Sequence, residues 1–367
     1  ELRQAAQKAG NSPAYDGRLR IDTEEAKRRV EMGESAPIRF DVPRPGFTEF
    51  DDAVRGKVRF DHEQVDDFVI LRSDGSPTYH LASTVDDCDF GITHVIRGED
   101  ILPSTPKHIL LTEALGEEVP TYGHLSLLMG PDGSKLSKRH GHTALRAYRE
   151  AGYVPGAVRN YLAILGWSPG EDEELVSLDE MVERFELGDV SKNPAVFDVT
   201  KLEWMNGVYI RELAPADFAS LVLPSIESDL GRSLTDDELT VLEVVVPLVQ
   251  ERAKVLSEVA PQVRFLFVDP VEYDDGSWQK VMKSPEAPIA LDAAIDKLSG
   301  LESWDDSGVE AALREIVAEN EFGARKAFQP IRVAVTGSSV SPPLFESVTL
   351  LGKERSLERL RGARQKL

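Results

Sequence analysis

Between Leu127 and Gly141 the chain reads Leu-Leu-Met-Gly-Pro-Asp-Gly-Ser-Lys-Leu-Ser-Lys-Arg-His-Gly, the stretch best equipped for chemistry. A short apolar run ends in Gly130-Pro131-Asp132-Gly133, a turn sequence able to take positive φ. Lys135, Lys138 and Arg139 then place three cations within five residues, with Ser137 between the lysines. Ammonium groups on a glycine-flanked loop act as point charges. They suit a polyanion whose charge shifts during reaction, such as a triphosphate. The same residues would also make an ordinary solvated basic turn. The spacing from Gly130 to Lys135 is too short for a P-loop.

Other reactive side chains precede that loop. Arg97 offers a guanidinium fork, which binds a carboxylate bidentately. Its plainer use is a surface pair with Glu99 or Asp100. Tyr79 is a hydroxyl donor or a core tyrosine in a strand. Cys88 is the one cysteine, so no internal disulfide can form, a reducing compartment fits, and no metal site is expected.

These groups need elements to position them. Asp22-Thr23-Glu24-Glu25 opens a helix with acids near its N-terminus, after a first helical piece and a loop from Gly10 to Asp16. Residues 36–72 read as β-rich, with short strands at Ile38–Phe40, Lys57–Phe60 and Phe68–Leu71 and a turn at Ser73-Asp74-Gly75-Ser76. Gly91–Gly98 reads as a buried strand ending in Arg97-Gly98. Thr105-Pro106 opens a helix with threonine as N-cap, and Gly116 stops it. Leu125–Met129 is the next strand and leads into the lysine loop. Strand, helix and strand make one βαβ crossover of a parallel sheet. Ligands sit beyond the carboxyl ends of such strands, so Arg97 and the loop should share one face. From Thr143 onward the pattern is mostly helical. Pro155 opens a helix that Gly166 closes, Ser177/Glu180 and Thr235/Glu238 are capping boxes, and Pro247 should kink or end its helix. From Pro215 to Leu367 no strand is convincing, and Pro285–Pro288 and Pro342-Pro343 are joints.

The 367 residues suffice for two or three domains, and 41% hydrophobic and 29% charged residues are ordinary for a soluble protein. No stretch suggests a membrane span. The net charge of −22 argues against indiscriminate nucleic-acid binding. Charge is uneven, however. Residues 129–160 hold six Lys/Arg against two acids, residues 171–190 one against nine, and the tail Gly352–Leu367 again six against two. Basic islands on an acidic body can bind phosphates locally; random clustering would look the same.

Several motifs now fall in a fixed order. Pro77-Thr78-Tyr79-His80-Leu81-Ala82 precedes Val85-Asp86-Asp87. Then come His94-Val95-Ile96-Arg97-Gly98-Glu99-Asp100, Ser104-Thr105-Pro106-Lys107-His108 and Lys135-Leu136-Ser137-Lys138-Arg139. This order resembles the second half of the catalytic domain of class I aminoacyl-tRNA synthetases of the glutamyl type. The lysine run looks like that family's KMSKS loop. The resemblance continues through Asn160-Tyr161-Leu162, Leu165-Gly166-Trp167 and Phe197–Gly207, and reaches Ala334–Ser338 and Leu350–Arg355.

The resemblance implies a fold class of α/β plus all-α. Residues 1–75 would be the end of the acceptor-stem-binding insertion, 76–142 the second half of a Rossmann-like catalytic domain, and 143–214 a stem-contact region. Residues 215–275 and 276–367 would be two helical anticodon-binding subdomains. The implied activity is ATP-dependent ligation of L-glutamate to tRNA(Glu) through a glutamyl-adenylate, with ATP and Mg²⁺, by a cytoplasmic monomer without membrane partners. Arg97 and Tyr79 would hold glutamate. Lys138 would stabilise the triphosphate as pyrophosphate leaves, with Lys135, Ser137, Arg139 and Asp100 supporting ATP binding. Lys107 would contact tRNA. Arg252 stands where relatives that reject glutamine tRNA use an arginine on the last anticodon base; it could instead be a solvated arginine paired with Glu251 or Glu258.

The family's HIGH-type turn belongs to an earlier strand, and nothing before Tyr15 matches it; His140-Gly141-His142 lies at the wrong place. Glu1 is therefore expected not to be the true start, and the groups for the amino group and adenine to lie upstream. A glutaminyl relative, disfavoured by the helical C-terminal third, and a non-catalytic tRNA-binding fragment stay open. A short glutamyl-queuosine enzyme would stop near Asn206.

Overall fold

The structure is a computed structural model that describes residues 21–137, 139, 144–170, 173–320 and 322–367. The expected first helical piece, the loop Gly10–Asp16, Lys138 and His140–His142 lie outside these residues. The chain divides into two compact units: Glu1–His140 with Leu162–Phe197, and Gly141–Tyr161 with Asp198–Leu367.

In the first unit, Asp22 caps the helix Thr23–Glu31 by accepting the N–H of Glu24 at 2.9 Å. β1 (Ile38–Arg39) pairs antiparallel with β4 (Val69–Leu71). Between them lies an antiparallel hairpin of β2 (Phe47–Asp52) and β3 (Gly56–Asp61), with Asp52 opposite Gly56. β2 was not expected from sequence. Its inward residues include Thr48 and Asp52, both buried, so the alternation of apolar residues that marks a strand is missing. Val42, Val65, Phe68, Leu110 and Leu111 form an apolar cluster of this unit, with Phe40, Ile70 and Leu81 against it.

β5 (His94–Gly98), the helix Thr105–Leu115 and β6 (Thr121–Leu125) form the βαβ crossover, with Arg97 opposite His124 in parallel register. The sequence reading needs correction in three details. The strand expected at Leu125–Met129 is two strands: β6 ends at Leu125, and β7 (Leu128–Met129) pairs with β8 (Ala195–Val196). Thr-Tyr-Gly-His-Leu buries Tyr122, Gly123 and His124, a polar composition that hides a strand. β5 is not a buried strand. Among the described residues it is paired on one edge, and Ile96 is 41% exposed. Finally, Ser104 rather than Thr105 holds the N-cap position. Gly116 ends the helix at φ 80°, a conformation that suits glycine.

In the second unit, the described residues from Asp198 onward are helical or connecting, without strands. Both capping boxes form: Ser177/Glu180 in the first unit and Thr235/Glu238 in the second. Pro155–Gly166 is the expected helix. Pro247 lies inside Asp236–Gln250, which ends one turn later. Val245, Val246, Leu291, Leu298, Leu313, Ile316 and Ile331 are all fully buried.

The basic tail differs from its expected use. Arg359 is buried and donates to the carbonyls of Val335, Phe265 and Val268 and to Asp269. Arg355 donates to Leu266 and Val268, Lys353 to Leu301, and Arg364 pairs with Asp292. Four of the six cations thus fasten the helix Lys353–Gln365 within its own unit instead of forming a phosphate-binding island.

Candidate active site at the carboxyl ends of β5 and β6

Arg97 points inward from β5, half-buried. Its Nε donates to His124 Nε2 at 3.1 Å and its Nη2 to Thr105 Oγ1 at 2.9 Å. Thr105 Oγ1 also lies 3.1 Å from His124 Nε2. The other ring nitrogen, Nδ1, is 2.5 Å from Asp52 Oδ2. Since Nε2 accepts from an arginine, the proton must sit on Nδ1, which donates to the carboxylate. Asp52 Oδ1 accepts the N–H groups of Val54, Arg55 and His124 at 3.0, 2.8 and 3.1 Å. Burial pushes the Asp52 carboxyl up, but these N–H groups and the His124 ring together hold it below the usual range.

Tyr79 is the first residue of the helix Tyr79–Asp89 and is 57% exposed, so it is not a core strand tyrosine. Its ring meets those of His80 and His108 edge-on, each at 5.7 Å. Arg97 lies 5.3 Å from the Tyr122 ring. Burial pushes the Tyr122 hydroxyl up to about 12, with Arg97 opposing. His108 is kept neutral: burial, then Arg97 and His80, lower it to about 3. It meets His80 Nδ1 at 3.2 Å and Thr84 Oγ1 at 3.3 Å.

The lysine loop opens with the expected turn. Gly130 N–H donates to Ser134 at 2.7 Å, and Gly133 has φ 72°. Leu136 N–H returns to Leu128 at 2.8 Å, so Lys135 and Ser137 follow the turn on a returning limb. Lys135 Nζ lies 2.7 Å from Asp100 Oδ2, and this bond holds the Asp100 carboxyl below its usual range. Arg139 reaches Asp132 at 3.2 Å and Ser134 Oγ at 2.6 Å. The surface pairing considered for Arg97 is not formed. Glu99 takes Arg55 and the N–H of Leu127, while Asp100 takes Lys135. Beyond β5 the structure thus brings Lys135 to Asp100, while Arg97 is held by His124 and Thr105.

Lys107 is placed elsewhere, 2.9 Å from Asp66 and 5.2 Å from the Phe68 ring. In the second unit Arg252 is exposed just after the helix Asp236–Gln250. Its considered pairing is absent among the described residues: Glu258 accepts the N–H of Lys254 at 3.1 Å. Burial, and then the nearby Arg252 charge, hold the Arg332 guanidinium below its usual range.

Sequence reasoning missed Thr105 and His124 as partners of Arg97, and Asp52 as the partner of His124. Asp52 and His124 are 72 positions apart, and no local spacing connects them. Among the described residues, no three His, Cys, Asp or Glu side chains are grouped to hold a metal ion. No helix among them is long and apolar enough to cross a membrane.

A family model for the catalytic domain of class I tRNA synthetases (E and Q) matches residues 1–204, and an anticodon binding domain model matches residues 217–364. The fold is that of a class I tRNA synthetase. The chain is similar to a glutamate–tRNA ligase of Dehalococcoides mccartyi, 46% identical over 89% of this chain and 68% of that protein. It is likewise similar to one of Thermobifida fusca, 45% identical over 96% of this chain and 73% of that protein. Among solved structures, a glutamate tRNA ligase of Elizabethkingia meningosepticum in complex with its amino acid superposes with TM-score 0.79 at 30% identity, covering 100% of this chain and 77% of its own. The chain belongs to the glutamate–tRNA ligase family.

Proposed function

We propose that this chain carries the second half of the site that activates L-glutamate with ATP and transfers it to tRNA(Glu). The observation that supports this most is Arg97. Its Nε and one Nη2 N–H are occupied inward by His124 and Thr105, which leaves the outer donors of the fork for a side-chain carboxylate. Tyr79, exposed at the start of the helix Tyr79–Asp89, would supply a hydroxyl. The substrate α-carboxylate is already a nucleophile, so no general base is needed. Its oxygen attacks the α-phosphorus of ATP, the bond to pyrophosphate breaks, and glutamyl-adenylate forms. A hydroxyl at the tRNA 3′ end then attacks the acyl carbon and AMP leaves. Catalysis is positioning and electrostatics.

Lys138, with Lys135, Ser137 and Arg139, would draw charge from the departing pyrophosphate. The Lys135–Asp100 pair (2.7 Å) is exposed on both sides, so a triphosphate can displace the carboxylate. Mg²⁺ would accompany ATP. It needs only phosphate oxygens, waters and one or two carboxylates, and the exposed Asp100 and Asp132 fit that modest demand. Lys107 and Arg252 would contact tRNA, with residues 1–75 and 143–214 toward the acceptor end and 215–275 and 276–367 toward the anticodon. The protein would act as a cytoplasmic monomer.

Pyrophosphate exchange by the natural full-length enzyme tests this, with tRNA present. Arg97→Lys should raise the KM for glutamate by tenfold or more, since an ammonium cannot reproduce the fork. Exchange that depended on glutamine as strongly as on glutamate would point to the glutaminyl relative instead.

A further inference from the structure

We infer that Asp52 is a positioning residue for Arg97, acting through His124, and that this relay sets discrimination between a carboxylate and an amide. The inference rests on the reading that Arg97 holds the substrate side chain, and concerns residues that reading does not assign.

The geometry is a chain of three side chains from three strands. Asp52 ends β2, His124 is in β6 and Arg97 is in β5. Asp52 and His124 are buried, His124 with 0% exposure. The hairpin turn is tied to β6 by its backbone: Ala53 N–H donates to Tyr122 at 2.8 Å and Arg55 Nε to the His124 carbonyl at 3.2 Å. Asp52 is therefore fixed independently of the ring it meets. The carboxylate can only accept at 2.5 Å from Nδ1, so the ring proton stays on Nδ1 and Nε2 stays an acceptor. That acceptor stops the guanidinium from turning about its stem, with Thr105 fixing Nη2. A fork held this way presents only donors outward. A carboxylate accepts all of them, whereas an amide turns its own NH₂ toward one. Fixing the fork is what makes that mismatch costly.

Asp52→Asn reverses the logic within the same volume. With the amide NH₂ facing the ring, Nδ1 becomes the acceptor and the proton moves to Nε2. Two donors, Nε2–H and Arg97 Nε–H, then face each other. The KM for glutamate should rise about tenfold, as expected for one mis-set hydrogen bond. The KM for ATP should stay within about twofold, and preference for glutamate over glutamine should fall.

His124→Gln gives the control. Its Oε1 can stand where Nε2 accepts, with no tautomer for Asp52 to set. It should keep the KM for glutamate within about threefold, and adding Asp52→Asn should change it no further. His124→Leu removes the acceptor and should raise the KM for glutamate like Asp52→Asn does; it carries the test if Asp52→Asn fails to fold.

Pyrophosphate exchange in the full-length enzyme, with tRNA present and glutamate and ATP varied separately, reads all of these. Equal losses toward ATP and glutamate, or an Asp52→Asn effect that persists undiminished beside His124→Gln, would overturn the relay and leave Asp52 a structural residue. If Arg97→Lys leaves the KM for glutamate unchanged, the reading of the site itself fails. If Arg97→Lys raises it while Asp52→Asn and His124→Leu do not, only the relay fails.

Discussion

The two units bury different things. Among the described residues, the interior of the first contains Asp52, His62, Asp67, His108 and His124, with Thr48, Thr84, Thr105 and Thr112 beside them. That of the second is mostly aliphatic, with a few aromatic rings; its buried polar residues are Ser, Thr, Asn and Gln, and Arg359 is the one buried cationic side chain among its described residues. Charge inside a protein costs free energy unless it is bonded on every side. In the first unit one such network runs from Asp52 through His124 to Arg97, while His62 ends on Thr48 and the Pro43 carbonyl and Asp67 on Arg44. In the second, Arg359 ends on backbone carbonyls and Asp269, so it closes on itself.

The comparison would break most visibly at the lysine loop. Lys138→Ala should slow adenylate formation by about 100- to 1,000-fold, the effect of losing a group that stabilises developing charge, roughly 2.7–4 kcal/mol. Affinity for tRNA should change far less. Pyrophosphate exchange within threefold of the parent would show that the loop does not act by charge.

The converse experiment belongs to the aliphatic unit. Leu313 is 0% exposed in the helix Asp306–Glu319. Leu313→Ala should cost about 3 kcal/mol of stability, from lost burial plus the cavity left behind. At a temperature where the variant remains folded, exchange should match the parent. A large loss of exchange without a change in the urea midpoint would erase the distinction between the units.

Arg252 sharpens the contrast, because it is an exposed cation of the second unit for which a role outside the unit was expected. It is exposed, and its neighbour Arg332 donates to Ser341 and to the Pro342 carbonyl. Arg252→Gln should shift the ratio of charging between glutamate and glutamine tRNAs by about 1–3 kcal/mol, the usual worth of base discrimination by a bidentate side chain. Aminoacylation of both tRNAs by parent and variant measures it, and an unchanged ratio counts against the assignment.

How much of this could be read from the chain followed the same division. The helical unit was legible because its signals are local: Thr235 caps and Glu238 answers three residues later, and Pro155 opens a helix that Gly166 closes. The crossover and the turn that opens the lysine loop were legible too, since strand ends and glycine turns are local signals. β2 and β6 were not. Their inward positions carry Thr48, Asp52 and His124, so the period-2 apolar signal was replaced by polar residues whose partners lie on other strands. What makes the network useful is what hides it: a pair such as Asp52 and His124 exists only after the hairpin has folded onto β6. The tail misled for a related reason. Six cations in sixteen residues look like a surface for phosphates, but carbonyls at Phe265–Val268, some ninety residues away, had already claimed Arg355 and Arg359.

The smallest expected effect tests whether charge in the second unit is indeed local. Glu238 answers the Thr235 cap and also receives Arg232 bidentately, Nη1 to Oε2 at 2.8 Å and Nη2 to Oε1 at 2.7 Å. The Arg232 hydrogen bonds, reinforced by the N–H of Thr235 and opposed by burial, lower the Glu238 carboxyl to about 2. A carboxyl whose folded value lies below its unfolded one stabilises the protein above the unfolded value, near 4.3, and loses that contribution as pH falls toward 2. Glu238→Gln keeps an acceptor for the cap but removes the charge. An exposed pair is worth about 0.2–1 kcal/mol, and the cap itself about 1 kcal/mol if lost altogether. The variant should therefore be less stable than the parent by about 0.5–1 kcal/mol at pH 7, with Glu238→Ala worse by the lost cap. The gap between parent and Glu238→Gln should hold from pH 7 to pH 5 and then close progressively in more acid solution. Urea unfolding at pH 7, 5, 4 and 3 measures it. A gap unchanged at pH 3 would mean that shape, not charge, joins Arg232 to this cap.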